Sequence, residues 1–411
     1  MVLMTHRDRQ PGFPFPRGLQ KRMSHTPSEQ VPKQDTQAPQ AAPDSTAADS
    51  GLEHRINLLE FTLPELKDWL AGLGHPAFRA VQLWQWIWQH MARDFDNMSN
   101  ISKALRQQLK EIACISWPEV DRIQVSSDGT TKFLLRLADN ERIETVLIPS
   151  TSREGNVRWT QCLSTQVGCA MGCTFCSTGT MGFTRNMTMG EILSQILVAR
   201  DYLHDTRPQW PILRNLVFMG MGEPLLNYRE LERALRALNE NGGLNFSPRR
   251  ITVSTCGIRK GLQELGESGL AFLAISLHAP TQELRQKLMP GAARWPLEDL
   301  IATLNSYPLK TRERITFEYL LLGHVNDGPE QARQLIRIVR SVRKSKINLI
   351  VYNATPGSPY EAPSEERVLA FEKILWDAGI TAVIRKSKGQ DIDAACGQLK
   401  ATALKEEEGA R

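Results

Sequence analysis

Three cysteines stand in one short run, Val167-Gly168-Cys169-Ala170-Met171-Gly172-Cys173-Thr174-Phe175-Cys176-Ser177-Thr178-Gly179. The C-x3-C-x2-C spacing offers three thiolates from a single loop. An iron–sulfur cluster that only carries electrons is closed by four cysteines. Three ligands leave one iron open, and an open iron binds a substrate or a cofactor. A structural zinc site also closes with four ligands. Cys162 could supply the fourth, as C-x6-C-x3-C-x2-C, but no second C-x2-C pair and no His pair lies nearby. Isolated thiols are commonly inert and buried. Three in one Gly-interrupted run are hard to explain by packing.

Further along the chain comes Phe218-Met219-Gly220-Met221-Gly222-Glu223-Pro224. Its glycines let the backbone approach a ligand closely. The Glu223 carboxylate beside them can accept from an ammonium group. Ser254 ends the run Ile251-Thr252-Val253-Ser254, Ser276-Leu277-His278 ends another, and Asn353 follows Ile350-Val351-Tyr352. Ser and Asn are common at strand ends for local hydrogen bonding, and a lone His is usually structural. Together these residues would ring one end of a barrel. Taken alone, Glu144 in an alternating strand reads as solvated surface, Cys162 as a strand residue, and Cys396 as incidental. Cys114 and Cys256 read as packing residues.

The elements that must position these groups follow from periodicity. Residues 1–52 are polar, rich in Pro, Gln, Ala, Ser and Thr, and predict a disordered extension, with Met23 an alternative start. Residues 53–118 predict a small helical accessory domain. One helix follows Thr62 as N-cap, with Pro64 in its first turn. A second covers Phe78–Trp88 and a third runs near Ser102 to Ala113. Trp84, Trp86 and Trp88 fit a core better than a stacking surface for bases. Residues 119–155 change to a period of two and predict a bridging β-hairpin sheet, with Asp139-Asn140 at a turn. From residue 156 to 400 short apolar strands alternate with amphipathic helices. The strands fall at Gln161–Thr165, Asn215–Met219, Ile251–Ser254, Phe272–Leu277, Arg314–Leu320, Ile347–Tyr352 and Thr381–Arg385. Such alternation implies a parallel sheet, closed or partly closed as a barrel. Chemistry in such barrels sits at the C-terminal strand ends, where the cysteine loop falls. Residues 401–411 predict a flexible tail.

Bulk properties agree with an enzyme-sized α/β protein. At 411 residues the chain holds a barrel-sized domain and a small one. Hydrophobic content of 41% and charged content of 23% fit a globular chain. Seven cysteines, an odd and clustered set, do not resemble a secreted disulfide framework, so a reduced cytoplasm is expected. No run reaches the ~18 apolar residues of a membrane span, and no signal peptide is legible. A net charge of +5 permits a nucleic-acid partner. Arg385-Lys386-Ser387-Lys388, Arg249-Arg250 and Lys310 to Arg314 are candidate phosphate contacts, although charge runs are more often solvated faces.

The cysteine run and the Gly222-Glu223 turn resemble the signatures of radical S-adenosylmethionine (SAM) enzymes. Five segments in order make the resemblance specific: Arg142–Pro149 with Glu144, Gln166–Gly179, Gly220–Asn227, Ile275–Pro280 and Gly389–Leu399 with Cys396. The chain is similar to the RlmN/Cfr family of adenine methyltransferases over about Leu59 to Leu399, and its details look more like the branch that methylates C2.

The resemblance implies a partial TIM-like (β/α)6 radical SAM barrel. It implies a [4Fe–4S] cluster on Cys169, Cys173 and Cys176, with its open iron holding SAM. The SAM site would draw on Gly222, Glu223, Ser254, Ser276, Leu277, His278 and Asn353. Cys396 would take a methyl group from one SAM and pass it, activated by a second, to adenine. Glu144 would accept the C2 proton, and Cys162 would resolve the protein–RNA adduct through a transient disulfide. The partners implied are 23S rRNA, tRNA and an electron donor such as flavodoxin or ferredoxin. The protein would act as a monomer, and the target base would leave its stack.

Two other functions fit parts of this pattern. A Cfr-like enzyme would methylate adenine C8 with the same cluster and thiols. An iron–sulfur carrier or a zinc-binding RNA module would lack methylation chemistry, and it would have no use for the Gly222-Glu223 turn.

Overall fold

The backbone amide of Thr62 donates to Glu65 Oε2 at 2.7 Å, half of a capping box that starts the first helix where the sequence predicts it. The computed structural model describes residues 55–152, 155–203, 213–355 and 357–401. The extension expected at 1–52 lies outside the described residues, as does the tail beyond residue 401. All described residues fall within one compact unit, Leu52–Arg411.

The N-terminal elements are β1 (Ile56–Asn57), α1 (Leu63–Gly72), α2 (Phe78–Trp88), α3 (Lys103–Ile112) and β2 (Ala113–Cys114), with β1 and β2 paired in parallel. Helical spacing brings Leu66 and Leu70 of α1 against Leu83, Trp84, Ile87 and Trp88 of α2, all buried. Trp86 departs from the expected core placement. It is half-buried and donates to Asn100 Oδ1 at 2.7 Å. These helices are fastened to the barrel by polar contacts. Glu60 accepts from Thr188 Oγ1 at 2.7 Å and Gly190 N at 3.1 Å, and Arg233 Nη2 donates to Glu65 at 2.9 Å.

Four antiparallel strands follow: β3 (Glu119–Val125), β4 (Thr131–Arg136), β5 (Arg142–Thr151) and β6 (Val157–Cys162). Next come β7 (Gln166–Gly168), α4 (Ser177–Thr180) and β8 (Phe183–Asn186), in which β7 and β8 form a small hairpin that flanks the cysteine loop. The alternating series is α5 (Met189–Tyr202), β9 (Leu213–Phe218), α6 (Tyr228–Asn239), β10 (Ile251–Thr255), α7 (Arg259–Ser268) and β11 (Phe272–Ser276). It continues with α8 (Gln282–Leu288), α9 (Leu297–Ser306), β12 (Ile315–Leu321), α10 (Pro329–Ser341), β13 (Ser345–Val351), α11 (Glu365–Asp377) and β14 (Ala382–Arg385).

One ten-stranded sheet runs β14-β13-β12-β11-β10-β9-β6-β5-β4-β3. Pairing is parallel from β6 through β9 to β14, so β6 joins the hairpin sheet to the barrel. The first barrel strand lies earlier than the expected Gln161–Thr165. Its opening residues are exposed and pair with the end of β5, so no apolar run marks them. α5 is buried almost all round, between the sheet and the N-terminal elements, which explains its weak one-sided pattern.

Among the described residues β14 and β3 pair with no strand on their outer edges, so the sheet is open. The segment after β14 crosses to the far end of the sheet and straps it. Gly389 N donates to Asp128 Oδ2 at 3.1 Å, Ser127 N donates to Asp391 Oδ2 at 3.0 Å, and Lys132 Nζ donates to the Asp393 carbonyl at 3.1 Å. Gly389 and Asp393 take the left-handed backbone conformation, at φ 67° and 51°, that turns the strap.

Candidate active site

The cysteine loop leaves β7 and is held on two sides. Cys169 N donates to the Gly182 carbonyl at 2.6 Å. On the other side Thr174 N donates to the carbonyl of Leu288, the last residue of α8, at 3.0 Å, and Gly291 N donates to the Met171 carbonyl at 2.9 Å. A β-carbon at Gly179 would strike the Cys173 backbone, so glycine lets α4 close over the loop. Cys169, Cys173 and Cys176 open into one cavity at the C-terminal strand ends. Among the described residues no three His, Cys, Asp or Glu side chains are placed to hold a metal ion. The three thiols share one cavity, and thiolates are the donors an iron–sulfur cluster takes. Burial pushes the Cys169 thiol up to about 12 and that of Cys173 well above its ordinary value. Iron binding would have to displace those protons.

Glu223 lines the same cavity and is 4% exposed. Its Oε1 accepts from Leu225 N at 3.1 Å and Thr255 Oγ1 at 2.6 Å, and its Oε2 from Cys256 N at 2.8 Å. Burial raises its pKa, and these donors lower it in part. Gly222 has φ 102°, and a β-carbon there would strike Gln166, whose Oε1 accepts from Glu223 N at 2.8 Å. Glycine is therefore required for the turn that presents the carboxylate.

Ser254, Ser276 and His278 also line this cavity. The two serine hydroxyls lie 3.3 Å apart on adjacent strands. His278 Nδ1 accepts from Leu320 N at 3.0 Å, and burial pushes the ring down to about 3, so it is neutral with its proton on Nε2. Two expected residues do not reach the cavity wall. The Leu277 side chain is fully buried in the core. Asn353 is buried behind the strap, where its Oδ1 accepts from Gln390 Nε2 at 2.6 Å and its Nδ2 has no partner.

The strap brings Cys396 to the cavity wall beside Cys176. Ser177 N donates to the Gly397 carbonyl at 2.7 Å, and Thr178 Oγ1 donates to that of Leu399 at 2.7 Å. The Cys396 side chain is open to the cavity, yet the surrounding protein still pushes its thiol up, an effect that nearby Arg385 opposes. Cys162 ends β6 and is buried, its thiol pushed up to about 12 by burial and by charge on Cys396. Glu144, 4% exposed, faces an adjoining cavity that shares Phe175 and Cys176 with the first. Its Oε1 pairs with Lys132 Nζ at 3.1 Å, and its Oε2 accepts from Lys400 N at 2.8 Å.

Several site residues were not visible in sequence. Glu318 lines the cavity, 3% exposed. Asn348 donates to its Oε1 at 2.8 Å, while its Oε2 has only Arg385 at 3.9 Å, too far for a hydrogen bond. Its signal was an acid inside the apolar run of β12. Lys132 and Arg285 are buried cations that sequence reading passed over. Cys256, expected to be packing, forms part of the cavity wall. Of the basic runs, Arg312 and Arg314 line one cavity with Arg385. Arg249, Arg250 and Lys310 to Arg314 precede β10 and β12, at the strand ends opposite the cysteines.

Parallel strands, a three-cysteine loop after the first and a buried glutamate after the next define a radical SAM enzyme. A model described as the radical SAM superfamily matches residues 163–337. A second, the ribosomal RNA large subunit methyltransferase N-terminal domain, matches residues 56–115. The dual-specificity RNA methyltransferase RlmN of Nitratidesulfovibrio vulgaris is 69% identical over 349 residues, covering 85% of this chain and 96% of that protein. The Oleidesulfovibrio alaskensis protein of the same name is 64% identical over 350 residues, covering 84% and 96%. The crystal structure of a radical SAM methyltransferase from Sphaerobacter thermophilus superposes with a TM-score of 0.78 at 42% identity, covering 84% of this chain and 100% of that one. The chain belongs to the RlmN family of radical SAM RNA methyltransferases. Its cofactors are a [4Fe–4S] cluster and SAM. Among the described residues no helix is long and apolar enough to cross a membrane.

Proposed function

We propose that this enzyme methylates C2 of adenosine in 23S rRNA and in tRNA through a methylated cysteine at Cys396. The observation that carries the reading is one shared cavity. Cys396 lines it with Cys169, Cys173, Cys176 and Glu223, although more than 200 residues of chain separate Cys396 from the cysteine loop.

Adenine C2 is an electron-poor ring carbon, so direct attack on the electrophilic methyl of SAM is unfavourable. A protein thiolate is a better acceptor for that methyl. Cys396 forms the new S–C bond as the sulfonium C–S bond breaks, with Arg385 favouring its thiolate. Cys169, Cys173 and Cys176 hold the cluster. Gly222, Glu223, Ser254, Ser276 and His278 form the SAM site, with Glu223 receiving the amino group. Leu277 and Asn353, which the family resemblance adds to this set, lie off the cavity wall and carry no contact in this reading. Bound to the three cysteines, the cluster would supply the one-electron chemistry that activates SAM and, through it, the methyl on Cys396. The activated Cys396 carbon would bond to C2, with one electron returned to the cluster as Glu144 accepts the C2 proton. Cys162, as a thiolate, would then attack Cys396 Sγ. The S–C bond breaks as the disulfide forms, and the freed carbon takes a proton to complete the methyl group.

The same reading divides the chain into an accessory helical domain at 53–118, a bridging sheet at 119–155 and the barrel at 156–400. It makes the enzyme a cytoplasmic monomer that draws electrons from a flavodoxin or a ferredoxin.

The test is anaerobic incubation of cluster-loaded protein with SAM, a reductant and unmodified rRNA fragment, followed by nucleoside mass spectrometry. 2-Methyladenosine is expected. 8-Methyladenosine would move the enzyme to the C8 branch. Deoxyadenosine without any methylated base would overturn the substrate assignment.

A further inference from the structure

Arg285 on α8 is 1% exposed, a guanidinium closed off from water. It donates to the carbonyls of Leu277 and Cys256 and approaches Met289 Sδ, while its Nε has no partner. Among the described residues it makes no ion pair. Glu223 is close enough to act on it but makes no ion pair with it among the described residues, its oxygens accepting from Leu225, Thr255 and Cys256 instead. His278, also close, is neutral. A buried charge is costly unless an opposite charge faces it. Carbonyl dipoles orient the group without neutralising it.

The elements that hold Arg285 also hold the cysteine loop. The last residue of α8, Leu288, accepts from Thr174 N between Cys173 and Cys176. Cys256, whose carbonyl accepts from Arg285, presses its Sγ on Met171 Sδ at 3.2 Å. Three thiolates on a doubly positive cluster core leave a net negative charge, and reduction adds one more electron.

We propose that Arg285 is the fixed counter-charge of the cluster: a positioning residue that favours the reduced cluster. The proposal rests on the reading that the three cysteines bind the cluster. The chemistry it recognises is an anionic iron–sulfur centre, and the electron comes from a one-electron donor of low potential.

Two measurements test it. The first is the midpoint potential of the cluster, titrated without SAM. Arg285→Gln, which keeps hydrogen-bond donors and loses charge, shifts it to a more negative value, while Arg285→Lys stays near the parent. An unchanged potential in cluster-loaded Arg285→Gln overturns the proposal. The second is thermal unfolding of cluster-free and cluster-loaded protein. Cluster-free Arg285→Met loses only the bonds to the Leu277 and Cys256 carbonyls, whereas the loaded variant is destabilised further and releases iron faster. A cluster-free variant that fails to fold, or is destabilised as much as the loaded one, assigns Arg285 to the carbonyls or to Glu223 and overturns the proposal. Cys173→Ala is the control. If it retained the parent's cluster, the ligand reading would fail independently of Arg285.

Discussion

Glu144 Oε2 accepts a hydrogen bond from the backbone amide of Lys400 at 2.8 Å, which ties the proposed proton acceptor to the strap that carries Cys396. Lys132 completes the tie, pairing with Glu144 Oε1 at 3.1 Å and donating to the Asp393 carbonyl at 3.1 Å. The proposed proton acceptor and the proposed methyl carrier are therefore set in place by one polar cluster.

Replacing Lys132 with Met leaves Glu144 buried without its cation. Breaking a buried pair costs about 3–5 kcal/mol. Burial already raises the Glu144 pKa above 4.5, and Lys132 lowers it in part. A carboxyl with a raised folded pKa contributes stability that is full below the unfolded value and is lost as pH rises through the folded one. A base of raised pKa also loses activity at a pH above the ordinary carboxylate range. The acid limb of the methylation pH profile should move to higher pH in Lys132→Met. A limb that stays in place would remove Glu144 from proton transfer.

The thiols should separate by variant. Cys173→Ala abolishes iron binding and methylation together. Cys396→Ala keeps its iron and loses methylation by several orders of magnitude. Cys162→Ala accumulates protein joined to RNA, visible as a mass shift on denaturing gels. Free turnover by Cys162→Ala would end its resolving role.

Asp391 anchors the strap, accepting from Ser126 Oγ and Ser127 N, and those donors hold its carboxyl below the usual range. A depressed carboxyl contributes stability above its unfolded pKa and loses it as pH falls through the folded one. Asp391→Ala should keep iron content and lower kcat, because Cys396 is less well positioned. Full activity in this variant would show that the strap is held from Lys132 and Glu144 alone.

His278 gives a stability signature in cluster-free protein. Its ring is pushed from 6.5 to about 3, so the folded state binds fewer protons than the unfolded state between those values. Stability falls as pH drops through that window, by on the order of 5 kcal/mol at 1.36 kcal/mol per unit. His278→Asn keeps an acceptor for Leu320 N and should flatten the acid limb of the unfolding curve. An unchanged limb would show that other groups dominate acid unfolding.

The cysteine loop and the Gly222-Glu223 turn were legible because their residue types have few other uses at such spacing. The barrel was legible from its alternation. Glu144 alone was not, because an alternating strand implies one solvated face. Here the strap covers that face, and β5 is buried on both sides around Glu144. The strap itself carries little regular structure, so periodicity could not reveal it. Arg285 was hidden for a related reason. α8 is a short helix between β11 and α9 that the βα pattern did not predict, and a helical arginine reads as surface until the cysteine loop is packed over it.

The most direct measurement follows the methyl group itself. Protein is charged with methyl-deuterated SAM, freed of excess, and given RNA, unlabelled SAM and reductant for a single turnover. The account predicts a deuterated methyl on the Cys396 peptide beforehand, and afterwards an adenosine methyl at C2 that keeps all but one of its deuterium atoms. An unlabelled methyl in the RNA, with the label still on Cys396 or never there, would contradict it.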